Sequence, residues 1–522
     1  MRKKSSLVCK REVIIVSHSL FIFFMTLIGI VMLTYEKNTI SNFDVVFFGW
    51  IGNILFVWCV LSWKYMKGYL FHPYILFLLS FFVYLYGQAF LKSLGISLEN
   101  FDLYVEFTHA EMLAAQLYTC LCMAFLHLGA ILSIRDYKDR KSNVMNRMEN
   151  ISSPKTVKIV AWIFVIVSVY PYFHNVLDDV KNSLNNGYLS LYENENISGS
   201  ASNMIQSLSM FFIPGLFFLL ICYKENKLIL RLISGVILFS VLIGYMTGGR
   251  GTATSLIIAF IWLWHVQIKP FKGYKVFILI TIGFILFSTL PVISEFRLYS
   301  NRDIGTFFDL YQKKMIEDNL IVSGIGELGG SMFPLVKVMN IMPDIYSFKL
   351  GESYFSSIMA IIPSSFFGGY SFADLADLPN WLMKVLKMDY GPGFSIVAEA
   401  YYNFGWFGPL FMSILGYAFG KLFDFNFNGA KRILIRNALA AITLYILINN
   451  VRASLLLTVR LEVYMVILPY FLLILFCRPS KKQISKEFYT ALPSKSISPQ
   501  SFAMSKEIRW ESIASKRSID EG

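Results

Sequence analysis

The chain has 522 residues, of which 56% are hydrophobic and only 16% charged. Soluble domains carry roughly 25% charged residues, so a soluble protein is excluded, and 48 Phe with 29 Tyr exclude a disordered one. Six Cys in this length are no disulfide scaffold, and a net charge of +13 on so apolar a chain reads first as membrane topology rather than nucleic-acid binding.

A bilayer core about 30 Å thick takes about 20 apolar helical residues. Twelve stretches qualify: 13–34, 43–63, 70–91, 112–134, 156–173, 204–222, 228–246, 251–267, 274–292, 404–423, 434–450 and 454–476. The first follows a basic tail (Arg2, Lys3, Lys4, Lys10, Arg11) and is too long and aromatic for a cleaved signal peptide, so it reads as an uncleaved span. With the N-terminus placed in the cytoplasm, the inner connections and tails carry 33 Lys and Arg and the outer ones 14. Without the C-terminal tail and the longest outer segment, which report topology poorly, the contrast is 24 against 6. Both termini are therefore expected in the cytoplasm. Cys59, Cys120, Cys122, Cys222 and Cys477 fall within spans or at their inner ends and Cys9 in the N-terminal tail, so no outer loop offers a disulfide.

The expected division is spans one to nine over 1–292, a large outer segment over 293–403, spans ten to twelve over 404–477 and a disordered Ser, Lys and Pro-rich tail over 478–522. A structureless loop as long as 293–403 is uncommon. It reads instead as a partly helical lid. Apolar spacing predicts a helix over 304–321, the Tyr354–Phe367 run suits the membrane interface or a re-entrant turn, and 380–388 reads as a short amphipathic helix after Pro379. Gly391, Pro392 and Gly393 break the chain before span ten. The layout is unlike the twelve-span transporters built from two six-helix halves, because the largest loop is external and follows span nine.

Charges in or beside spans are costly and default to function, and the outer side gathers them. Arg250 sits in Met246–Thr254 (MTGGRGTAT), a tight turn whose glycines allow close backbone approach to a ligand. Arg297 and Arg302 follow span nine. Arg452 lies in Asn449–Ser454 (NNVRAS), with Arg460 two turns further on. Arg suits forked binding of phosphate oxygens. The bland alternatives are snorkelling for Arg297 and Arg302, and pairing of Arg460 with Glu462, although residues two apart on a helix do not face each other. Glu327, in Gly324–Ser331 (GIGELGGS), and Glu399, in 390–408, are the candidate base or acid. Each could instead be a solvated loop acid or an ion-pair partner for one of the arginines. Asp374, Asp377 and Asp389 read as surface acids. The chain has no GxxxxGK[ST] and no HExxH motif, 293–403 contains no His, and His109 and His174 are isolated, so no metal site is expected.

The TGGRG turn between short spans, the long outer loop, Gly329–Leu335 (GGSMFPL), Ile361–Ser364 (IIPS) and Gly391–Gly408 (GPGFSIVAEAYYNFGWFG) together resemble the Wzy-type O-antigen polymerases over about residues 200–475. The resemblance implies a GT-C-like membrane glycosyltransferase without a metal or other cofactor. It would join oligosaccharide repeat units carried on undecaprenyl pyrophosphate into O-antigen at the periplasmic face of the inner membrane. Its partners would be that lipid-linked glycan, the bilayer and a chain-length regulator, with no nucleic acid. Such a reaction needs cations for the pyrophosphate leaving group and a base for the acceptor hydroxyl. Arg250, Arg297, Arg452 and Arg460 suit the first role, and Glu399 or Glu327 the second. Related O-antigen ligases use a His in the large outer loop, and this chain has none there. A flippase or other transporter for lipid-linked oligosaccharide is the alternative outside enzymes, and a ligase-like transferase the alternative within them.

Overall fold

The computed structural model describes residues 2–34, 40–99, 101–134, 154–185, 200–247, 249–296, 299, 303–317, 319–362, 364–388, 391–423 and 433–476. Arg297, Arg302, Asp389 and the 478–522 tail lie outside the described residues. Among the described residues the protein is 83% helical, with no strand. Among the described residues, ten helices are long and apolar enough to cross a membrane. It is an all-α polytopic membrane protein.

Nine of the ten coincide with expected spans, and the tenth, Leu320–Ile341, lies within the long segment that follows span nine. The other three expected spans form the helices Arg250–Gln267, Gly408–Phe423 and Ile433–Asn450, of 18, 16 and 18 residues. The long segment is helical over Ile304–Glu317, Leu320–Gly329, Phe333–Ile341, Glu352–Met359 and Leu378–Leu386. Leu378–Leu386 carries Pro379 in its first turn, with the Asp377 side chain accepting from the Asn380 backbone N–H.

Local signals start the long helices. Thr108 and Glu111 form a capping box for His109–Ser133, and His72 caps Pro73–Ser93 by accepting from Tyr74 N at 3.1 Å. Apolar side chains cover both surfaces of the bundle: Phe277, Ile280 and Phe284 of Tyr274–Ser288 are exposed, as lipid-facing residues are, while Phe77, Leu78, Phe81 and Leu85 of Pro73–Ser93 are buried.

Lipid offers apolar side chains no less than a neighbouring helix does, so small residues decide which membrane helices pack closely. Gly416 and Gly420, four apart in Gly408–Phe423, meet His109–Ser133 at Leu126, Ala130 and Ser133. A Cβ on either would overlap those atoms. The same logic seats Leu320–Gly329 on Pro73–Ser93, because a Cβ at Gly329 would overlap Gly87 and Gln88. Gln88 then ties three segments together. Its Nε2 donates to Phe101 O and Gly326 O, each at 2.9 Å, and its Oε1 accepts from Leu103 N at 3.0 Å.

His18 and His127 are buried with both ring nitrogens partnered, His18 by Ala124 O and Trp58, His127 by Ser62 and Tyr74. Fully satisfied histidines of this kind fix helix packing.

Candidate functional site

The turn before Arg250–Gln267 makes Arg250 the first helical residue, where side chains point back past the N-terminus. There its guanidinium forks. Nη1 donates to Leu290 O and Nη2 to Glu327 Oε1, both at 2.6 Å. Ser294 Oγ donates to the same Glu327 oxygen at 2.6 Å. The Arg250 side chain is 11% exposed and that of Glu327 30%, so the pair is shielded on one side and open on the other. The Gly-rich stretch around Glu327 has a packing cause. Gly324, Gly326 and Gly329 let its helix press against Phe287, Leu98 and Gly87, and that contact presents Glu327 to Arg250.

Arg452 joins this end of the bundle through Gly251. A Cβ on Gly251 would overlap Asn449 Oδ1 and lie 3.5 Å from Arg452 Nη2. The Arg452 guanidinium carbon lies 5.6 Å from the centre of the Tyr84 ring, a cation–π contact. Arg452 is exposed, and among the described residues no carboxylate lies within ion-pair distance of it. Tyr245, hydrogen-bonded to Thr254 at 2.9 Å, lies within electrostatic reach of both Arg250 and Tyr84.

Glu399 is buried, and both its oxygens are engaged. Oε1 accepts from Ser353 Oγ and Oε2 from Leu455 N, each at 2.6 Å. Ser454, at the N-cap of Leu455–Glu462, makes no side-chain cap bond, and Glu399 supplies the acceptor from across the bundle. Asn403 Nδ2 reinforces the clamp by donating to Ser353 Oγ at 2.7 Å and Glu399 O at 2.9 Å. Burial pushes the Glu399 carboxyl up to about 7, against the Ser353 and Leu455 bonds, which favour the ionised form.

The structure therefore brings Arg250, Glu327 and Arg452 to one end of the bundle, with Glu399 fixing the backbone three residues past Arg452. Arg460 stands apart. It is exposed on Leu455–Glu462, and no described contact joins it to the other arginines. Glu462 is half-buried and does not pair with it; its Oε2 accepts from Thr443 instead. Tyr84, Ser353 and Tyr245 carry no sequence signal that would have nominated them. Ser294 and Asn449 stand in the sequence beside two candidate arginines, within Ile293–Tyr299 (ISEFRLY) and NNVRAS.

Fold and site define a polytopic helical membrane protein with a cationic, partly open centre at one end. The family comparison is more particular. Residues 14–483 match the family O-antigen polysaccharide polymerase Wzy, and the chain belongs to that family. No curated protein and no solved structure matches the chain.

Proposed function

We propose that the chain joins undecaprenyl-pyrophosphate-linked oligosaccharide repeat units into O-antigen polysaccharide, and that the Arg250 end of the bundle faces the periplasm from the inner membrane. The observation that carries this reading is the arrangement of two arginines in a chain of this family. Arg250 is held by a carboxylate; Arg452 beside it is exposed and has no ion-pair partner among the described residues.

The chemistry suits that pair. When the acceptor oxygen attacks the anomeric carbon, the C1–O bond to phosphate breaks and its electron pair leaves on the diphosphate. Fixed cations aimed at that growing charge stabilise the transition state more than the ground state. Glu327 holds Arg250 in one pose so that no reorganisation is needed, and Arg452 supplies unneutralised charge. Because guanidinium groups can carry this role, the reaction is read as metal-independent. Glu399 acts through position, pinning the 451–455 turn that carries Arg452. Arg460 and Arg297 remain proposed binders of the same lipid-linked substrate further from the pair.

Positive-inside charge supports cytoplasmic termini. A chain-length regulator is the expected protein partner, on the strength of the family alone. Disrupting the gene should leave lipid A-core with at most one repeat unit; long-chain glycan persisting without a second polymerase would overturn the proposal.

A further inference from the structure

A cavity adjoins the Arg250 turn, with Thr247 and Thr252 in its lining. Its volume is about 140 Å³, and it opens between four helices, lined by Tyr172, Asp179, Ser240, Thr247, Thr252 and Tyr445 among others. That is close to the roughly 150 Å³ that admits one six-membered ring. The lining is regular: Tyr172, Val176 and Asp179 recur at i, i+4 and i+7 of Pro154–Asn185, and Ser240, Ile243, Gly244 and Thr247 at i, i+3, i+4 and i+7 of Lys227–Met246. Hydroxyls and one carboxylate dominate its polar lining, and no Lys or Arg is among the lining residues. Such a pocket suits a neutral polyol and not a diphosphate.

Its position ties it to the cationic pair. Thr247 and Thr252 flank the Arg250 turn on both sides. Tyr445 stands one helical turn from Asn449, the residue in contact with Gly251. Asp179 is exposed and therefore reachable. Its neighbour Asp178 is not equivalent, because it pairs with His174 at 2.9 Å. The two acids nominated from sequence are otherwise occupied: Glu327 by Arg250 and Ser294, Glu399 by Ser353 and Leu455.

We infer that this cavity binds the terminal sugar of the acceptor glycan and that Asp179 is the catalytic base. The inference rests on the polymerase reading. The acceptor O–H proton passes to the Asp179 carboxylate. The freed electron pair forms the new bond to the donor's anomeric carbon, and the bond to the diphosphate oxygen breaks with its electrons toward Arg250 and Arg452. The hydroxyls of Thr247, Thr252 and the two tyrosines orient the ring.

The test uses membranes carrying the full chain and its own lipid-linked repeat unit, with glycan length as the readout. Asp179→Asn, nearly isosteric, is expected to slow extension about 100-fold or more while the protein stays in the membrane at wild-type amount. Asp178→Asn is expected to extend at the wild-type rate. Val176→Phe fills the cavity without touching the carboxylate, and it is expected to raise the acceptor concentration needed for half-maximal rate. This variant decides the matter if Asp179→Asn does not accumulate. Wild-type ladders from Asp179→Asn, equal losses from Asp178→Asn and Asp179→Asn, or an unchanged acceptor requirement in Val176→Phe would each overturn the inference. Persistence of long glycan in the disrupted strain would instead sink the polymerase reading. Loss there, with full activity in Asp179→Asn, removes only the acceptor site.

Discussion

Glu399 offers the sharpest separation between positioning and chemistry. Its folded pKa of about 7 lies above the usual 4.5, so between those values the folded chain holds a proton that the unfolded chain has released. Stability then falls as pH rises through that window and levels off above it, with a change of about 2.5 × 1.36, or about 3 kcal/mol. For a chain of 522 residues this corresponds to about 3 °C in Tm. Glu399→Gln removes the titration, and its oxygen can still accept from Leu455 N. Its Tm should therefore be flat from pH 5 to 8 relative to wild type, and glycan extension should stay within about threefold. Glu399→Ala removes acceptors from both Ser353 and Leu455, at about 1.5–3 kcal/mol each, and should lose both stability and extension. The assays are Tm by intrinsic fluorescence in detergent across that pH range and glycan ladders from cells. A stable Glu399→Gln protein with extension reduced 100-fold would refute this account and make Glu399 the base.

The remaining predictions concern contacts that hold the site. Glu327→Gln keeps a polar partner for Arg250 but removes its charge; extension should drop about tenfold, equivalent to about 1.4 kcal/mol, with the protein level unchanged in membrane fractions. Gly416→Leu drives a side chain into the Leu126 backbone and should remove the protein from the membrane, whereas Gly29→Leu, with nothing within 4 Å of its Cβ position, should leave the level unchanged on an immunoblot. Gln88→Leu strands Leu103 N, Phe101 O and Gly326 O and should cost about 2–5 kcal/mol, read as a lowered Tm.

Apolar length made most of the bundle legible, because 20 or so unbroken apolar residues have few other uses. Leu320–Ile341 escaped that reading because GIGELGGS looks like a loop. Its glycines serve helix packing, which becomes visible only when Gly87, Leu98 and Phe287 are in place. Arg250 and Arg452 stood out because outer arginines break the positive-inside pattern. The sequence alone allows Glu327 to be an acid or an ion-pair partner, and the structure pairs it with Arg250 across 77 residues of sequence. No local pattern encodes such a contact. Aromatic residues flank Glu399 in the sequence, yet what its oxygens bind, Ser353 and Leu455, depends on three segments meeting. No sequence pattern marks Asp179, since its surroundings come from four separate helices.

The central claim is that the chain lengthens glycan rather than moving it across the bilayer. The most direct measurement places the purified protein in vesicles bearing the lipid-linked repeat unit on the face exposed to the Arg250 end. Glycan length and released undecaprenyl pyrophosphate are followed together. The account predicts a ladder of whole repeat multiples with one diphosphate released per bond formed, and neither product from Arg452→Ala. Units that cross the bilayer at constant length would contradict it.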